Sequence, residues 1–299
     1  MTLAVKTLGP SFVAEVAGVD FSAPLDPGSL AEVVAAMDRY AVCVFRATGM
    51  DDTAHIAFSR QLGKLEHAPK LFGKSMARFE QPELFDAGNL DPSGNILVDD
   101  RRRVYNKGNA LWHTDSSFNT HRASYSLLLA HEVPPVGGDT EFADMRAAYD
   151  ALPAELQAKI ENLVAEHWLW HSRMLAGYPE PTEAERQAKP PAHHKLVQIH
   201  PGSLRKTLYI ASHASHIVGW PVEAGRALLR ELTDFVTEPR FRHSHRWRQG
   251  DLVLWDNLAV QHARGDVSGV GRRTLQRVVL ATKGFFEQHP QFCEADFAT

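Results

Sequence analysis

His113 and Asp115 stand two apart in the stretch LWHTDSSF (111–118), with one small residue between them. On a strand, residues i and i+2 project to the same face, so an imidazole and a carboxylate would converge on one point. Both side chains bind borderline divalent metals. The pair does not make a site by itself. With 16 His and 18 Asp among 299 residues, about one His-x-Asp arises by chance. A third ligand from a distant segment is needed.

His262 is the candidate. It follows the apolar strand carrying Trp255, in DLVLWDNLAVQHARGD (251–266). Two His and one carboxylate on one face of a metal select non-heme Fe(II) oxygen chemistry and leave room for a bidentate cosubstrate and O2. A catalytic zinc usually keeps one open position, and sequence does not separate the two. Arg273 lies 11 residues past His262, and Arg277 four further on, at the start of and within the apolar run TLQRVVLAT (274–282). If that run is a strand, the two guanidinium groups share a face. Inward arginines are costly unless anions neutralise them, and guanidinium suits bidentate carboxylate recognition. Two carboxylates would satisfy them, one on a dicarboxylate cosubstrate and one on an acidic substrate. Structural ion pairs with Asp or Glu are an equal alternative at this point.

The elements that must position these residues are legible in part. Capped amphipathic stretches predict helices at 29–40, with Ser29 and Glu32 as a capping box, at 52–63 with an Asp cap, at 144–163 broken at Leu152-Pro153, and at 221–236. Strands are expected at 41–46, 124–133, 139–144, 195–200, 206–212, 251–257 and 274–282, with Gly and Pro between them. Strict β-α-β alternation and a phosphate-cradling glycine loop are both missing, which argues against a doubly wound nucleotide fold. The expectation is an α+β protein with a mainly β core, a sandwich or barrel of the jelly-roll kind with flanking helices.

Composition excludes several classes. A net charge of −4, with no basic run interleaved with aromatics, gives no nucleic-acid signal. No apolar stretch reaches the roughly 18 residues of a membrane helix, and the N-terminus has no signal-peptide core. The two cysteines, Cys43 and Cys293, build neither a disulfide framework nor a cysteine zinc site. A cytoplasmic protein is expected. Histidine is abundant, which raises the prior for a metal site without locating it.

Taken together, WHTDSSF (112–118), PPVGGDTEF (134–142), GDLVLWDN (250–257), His262 and the arginine pair resemble the taurine / 2,4-dichlorophenoxyacetate dioxygenase family of Fe(II)- and 2-oxoglutarate-dependent oxygenases. DMRAAYDALP (144–153) and HPGSLRKTLYIASHASH (200–216) look most like the phenoxyacetate branch. The resemblance implies a double-stranded β-helix in one domain over 1–299, with a lid or insert at about 64–110 and a helical insert at about 144–190. It implies Fe(II) held by His113, Asp115 and His262, and the distal carboxylate of 2-oxoglutarate held by Thr140 and Arg273. Arg277 would hold the substrate carboxylate with Ser116, His200 and His213 would face the substrate pocket, and Lys70 would lie in the lid. With O2 as second cosubstrate, the implied reaction hydroxylates the carbon next to the acid group of an aryloxyalkanoate. It yields succinate, CO2, a phenol and, from an aryloxyacetate, glyoxylate. A sulfonate, alkyl sulfate or aryloxypropionate would suit the same arginine. A jelly-roll protein that binds an acid without oxidising it, or a zinc hydrolase, is the reading from another class. A homo-oligomer is expected from relatives. Leu258 stands where many relatives carry Arg, and Asn95 where a basic residue is expected. Both departures leave the metal ligands intact.

Overall fold

A computed structural model describes residues 3–9, 11–68, 78–98, 100–267 and 271–281. The chain opens with β1 (Ala4–Thr7), β2 (Val13–Ala17), α1 (Pro27–Tyr40), β3 (Val42–Phe45), α2 (Asp52–Leu62), β4 (Phe85–Asp86) and α3 (Asp100–Lys107). Its middle carries β5 (Ala123–Glu132), β6 (Thr140–Asp144), α4 (Met145–Asp150), α5 (Ala154–Ile160), β7 (Val164–His167), α6 (Leu169–Leu175) and α7 (Glu183–Ala188). Then come β8 (Ala192–Lys195), β9 (Val197–Ile199), β10 (Lys206–Leu208), β11 (Ala214–Ile217) and α8 (Val222–Val236). The last strands are β12 (Arg242–His245), β13 (Leu252–Asp256), β14 (Val260–Arg264) and β15 (Thr274–Ala281).

Seven strands form the main sheet in the order β1-β2-β3-β13-β5-β15-β4, and β12-β6-β14 form a smaller one. Only β2 and β3 pair in parallel there. The continuous apolar runs VCVF and LVLW follow from burial on both faces. Cys43, Phe45, Leu127, Leu129, Leu252 and Leu254 pack toward α1 and α2. Their alternates Val42, Val44, Leu128, Ala130, Val253 and Trp255 pack with Phe142 and Val260 of the smaller sheet. Each Val, Leu or Phe among them contributes roughly 1.5–3 kcal/mol on burial. The fold is mixed, with mainly sheet content at its centre.

Local chemistry explains most element boundaries, with some differences from expectation. Helix α1 is capped by Asp26, whose carboxylate accepts from Gly28 N and Ser29 N. Ser29 is inside the helix, and Glu32 accepts from Leu3 N instead of closing a capping box. Helix α2 is likewise capped one residue earlier than expected, by Asp51. The 144–163 helix does break at Pro153, into α4 and α5. The insert expected to be helical also contains a strand, β7, paired with β8 and β11. That sheet and the paired strands β9 and β10 close over a third core made with α4 and α8. Among the described residues no helix is long and apolar enough to cross a membrane.

Candidate metal and acid-binding site

The two histidines are set side by side by the backbone. His113 N donates to His262 O at 2.9 Å and His262 N donates to His113 O at 2.8 Å, an isolated antiparallel bridge. Directly opposed residues in such a pair project to one face, and the two rings lie 4.2 Å apart. Asp115 is not on a strand. The chain turns at 115–118, and Ser116 takes a left-handed conformation with φ 54°. The expected i, i+2 geometry therefore does not aim the carboxylate.

Asn257 does so. Its side-chain oxygen accepts from Asp115 N and from Trp255 Nε1, both at 3.1 Å. Its amide donates to Ser126 Oγ at 2.9 Å, and Ser126 Oγ donates to Asp115 Oδ2 at 2.7 Å. Thr114 Oγ1 donates to the Asn257 carbonyl at 2.6 Å. The WDN run thus does three jobs. Trp255 packs on the His262 ring at 4.8 Å, Asp256 accepts from His200, and Asn257 holds the 114–115 segment.

His113, Asp115 and His262 are buried and offer ligand atoms all within 4.8 Å of one another. The two Nε2 atoms lie 3.9 Å from the Asp115 oxygens, too far for a hydrogen bond. His113 Nδ1 sits 2.7 Å from the Leu111 carbonyl, so the proton belongs there and Nε2 keeps its lone pair. Burial pushes His113 down to about 4, against the pull of Asp115, and holds His262 well below the ordinary range. For Asp115, burial opposes ionisation, but Arg277, His262 and His113 outweigh it and hold the carboxyl below its usual value. Two neutral imidazoles with Nε2 lone pairs, beside a carboxylate whose oxygens each keep lone-pair capacity after accepting from Ser126 and Arg277, fit a divalent cation.

The arginines lie nearby. Arg277 places Nη1 against Asp115 Oδ1 and its guanidinium 5.4 Å from the Phe85 ring centre, while Nε finds no partner. Arg273 is 2% exposed, and burial drives it down to about 9, with Arg264 adding to the effect. Its Nη1 donates to Ala87 O, and its Nε is buried without a partner. A side chain at Gly138 would meet that Nε at 3.2 Å, so the glycine leaves the arginine its space. Thr140 Oγ1 accepts from Trp247 Nε1 at 3.0 Å, which leaves its own proton available to an anion.

The remaining expected residues divide. His213 lies beside the cluster, its ring 6.0 Å from that of His113 and 4.9 Å from Phe118, with Nδ1 buried and unpartnered. His200 is differently employed. Its Nε2 pairs with Asp256 at 2.7 Å and its Nδ1 accepts from Ser203 N at 3.0 Å, so both ring nitrogens are taken. Ser116 is at the site but donates to Glu66 Oε2 at 2.7 Å. Lys70 lies outside the described residues.

Glu66 was not foreseen. Glu66 N donates to Val279 O, and Ala281 N donates to Lys64 O, which fixes this segment along β15. Burial raises the Glu66 carboxyl to about 7; Ser116 and Arg277 favour its ionised form, and Asp115 opposes it. Nothing in the stretch LGKLEHAP marks that role, because the partners come from two distant segments, 115–116 and β15.

Residues 4–279 match the model of the Taurine catabolism dioxygenase TauD, TfdA family, and the chain belongs to that family. It is a 2-oxoglutarate-dependent dioxygenase. It is 45% identical over 280 residues to the alpha-ketoglutarate-dependent 2,4-dichlorophenoxyacetate dioxygenase of Cupriavidus pinatubonensis, covering 93% of this chain and 97% of the relative. It is 43% identical over 278 residues to the enzyme of that name from a Burkholderia species, covering 93% and 94%. The crystal structure of AAD-2 with Mn(II) and N-oxalylglycine superposes with a TM-score of 0.86 at 42% identity, covering 94% of this chain and 97% of that one.

Proposed function

We propose that the protein hydroxylates the carbon next to the acid group of an aryloxyalkanoate such as 2,4-dichlorophenoxyacetate, with His113, Asp115 and His262 as ligands to Fe(II). The observation that carries this reading is Arg277, whose guanidinium meets the Asp115 carboxylate and the Phe85 ring at once. An acid group held there brings its neighbouring carbon to the metal ligands, and an aryl ring would meet Phe85 and Phe118. Bound iron with 2-oxoglutarate and O2 supplies the oxidation, which yields succinate and CO2.

Every other contribution is placement by this chain. Thr140 and Arg273 donate to the distal carboxylate of 2-oxoglutarate. Arg277 exchanges part of its pairing with Asp115 for the substrate acid. His213, with a free Nδ1, donates to or accepts from the substrate beside Phe118. Hydroxylation of an aryloxyacetate gives a hemiacetal, which collapses to a phenol and glyoxylate. The chain forms one domain of the double-stranded β-helix kind, with its two main sheets face to face, and works in the cytoplasm as a homo-oligomer.

The test is turnover with a panel of acids. Protein loaded with Fe(II) is given 2-oxoglutarate, O2 and 2,4-dichlorophenoxyacetate, and succinate, phenol and glyoxylate are quantified. Equal yields support the reading. Succinate release stimulated by taurine or an alkyl sulfate, but by no aryloxyalkanoate, would replace the substrate class and keep the chemistry.

A further inference from the structure

Arg264 is a guanidinium that the reading above leaves without a task. It ends β14, two residues past His262, so both side chains leave the strand on the same face. Its register partner across the sheet is Thr140. Directly opposed side chains in an antiparallel pair lie within contact reach. The next turn brings Gly265 N to the Asp139 carbonyl at 2.8 Å and Gly138 N to the Asp266 carbonyl at 3.2 Å. Gly138 in turn is the residue against which Arg273 lies. Arg264, Thr140 and Arg273 therefore border one space.

The hydrogen bonding in that space is incomplete. Arg264 Nη2 donates to the Asn106 carbonyl at 3.2 Å, while its Nε is shut off from solvent with no acceptor. Arg273 Nε is in the same state. Burial is the chief cause that depresses Arg273, and the Arg264 guanidinium beside it adds to the effect. Asp139 and Asp266 offset part of this charge. Neither supplies a hydrogen bond to either Nε. Buried donors left open beside like charges are costly unless an anion enters.

We propose that Arg264 is a second guanidinium of the 2-oxoglutarate pocket, donating with Arg273 and Thr140 to the distal carboxylate and selecting a dicarboxylate over a 2-oxo monoacid. The inference rests on the proposed 2-oxoglutarate pocket. A clamp of two arginines and a hydroxyl presents more donors than one carboxylate needs for binding alone. The surplus charge penalises a cosubstrate that arrives without its second anion, because both guanidinium groups would then be buried unpaired.

The experiment is calorimetric titration of N-oxalylglycine into Mn(II)-loaded protein, wild type and Arg264→Met, with Arg272→Gln as a control at an exposed arginine paired with Glu132. Loss of a charge-assisted contact should weaken N-oxalylglycine about 10- to 100-fold in Arg264→Met and leave the control unchanged. Mn(II) affinity, read separately by electron paramagnetic resonance, should not change. In turnover, KM for 2-oxoglutarate should rise with kcat retained, and the preference for 2-oxoglutarate over 2-oxobutyrate should narrow. Arg264→Lys should recover part of the affinity. N-oxalylglycine binding equal to wild type in Arg264→Met overturns the proposal. So does a loss of melting temperature with the ligand-induced increase intact, which is the mark of a structural arginine. Failure of wild-type protein to bind N-oxalylglycine would refute the 2-oxoglutarate pocket itself, a result distinct from either.

Discussion

Replacing Glu66 by Gln should change how stability depends on pH by an amount that follows from the structure. Gln keeps an oxygen to accept from Ser116 and removes the charge that faces Asp115. Desolvation of the half-buried Glu66 carboxyl pushes it up to about 7, against an ordinary 4.5. A carboxyl raised on folding contributes stability that is complete below pH 4.5 and is lost as pH rises through about 7. At about 1.36 kcal/mol per pH unit, that interval is worth ~3 kcal/mol. The variant carries no such slope. Wild type and Glu66→Gln should therefore differ by a constant amount at and below pH 4.5 and diverge by up to ~3 kcal/mol in favour of Gln by pH 8. The assay is equilibrium urea unfolding of metal-free protein at several pH values. A cation on Asp115 would cancel one of the charges that raise Glu66. Divergence of this size corresponds to a melting-temperature gap of roughly 5–10 °C. Stability curves that run parallel from pH 4.5 to 8 would refute the reasoning, and with it the desolvation of Glu66 beside Asp115.

Other expectations follow from the same geometry. Arg273→Ala should weaken 2-oxoglutarate binding about 100-fold or more, by loss of a buried charged donor, and isothermal titration checks it. Asn257→Ala should weaken divalent-metal affinity about 10- to 100-fold without touching a ligand, because Asp115, Ser126 and Trp255 all lose a shared partner. A metal titration with a competing chelator reads this. Arg277→Gln should raise KM for the acid substrate by tenfold or more with metal binding retained, as steady-state kinetics and metal titration would show. Burial lowers His55 to about 3, His113 to about 4 and His194 to about 3, so these groups bind protons mainly in the unfolded chain. Lowered histidines contribute stability that is present above pH 6.5 and lost as pH falls toward 4, so metal-free protein should unfold progressively over that window in a far-UV circular dichroism series.

The cluster of His113, Asp115 and His262 was legible because the three sit in motifs whose order and spacing, taken together, resemble one family. Arg277 stood out because a charge inside an apolar strand has to be compensated, and the structure pairs it with Asp115, while Arg273 falls one residue before β15. Local chemistry also placed α8, the break at Pro153 and most central strands. The sequence did not reveal what depends on distant partners. Asp115 is aimed by Asn257 from 142 residues away, not by strand alternation. Glu66 gains its environment from Ser116, Asp115 and Arg277. His200 looked like a pocket histidine until Asp256 and Ser203 took both its nitrogens. Strand β7 was hidden in a stretch of helical composition because its partners, β8 and β11, lie far along the chain.

The central claim is that His113, Asp115 and His262 hold one iron with at least two adjacent positions open to a 2-oxo acid. The most direct measurement is the anaerobic visible spectrum of protein loaded with one Fe(II), before and after 2-oxoglutarate and then 2,4-dichlorophenoxyacetate. The account predicts a weak metal-to-ligand charge-transfer band on adding 2-oxoglutarate, a further shift with the aryloxyacetate, and neither in His262→Ala. Iron bound at one equivalent with no band on adding 2-oxoglutarate would contradict it.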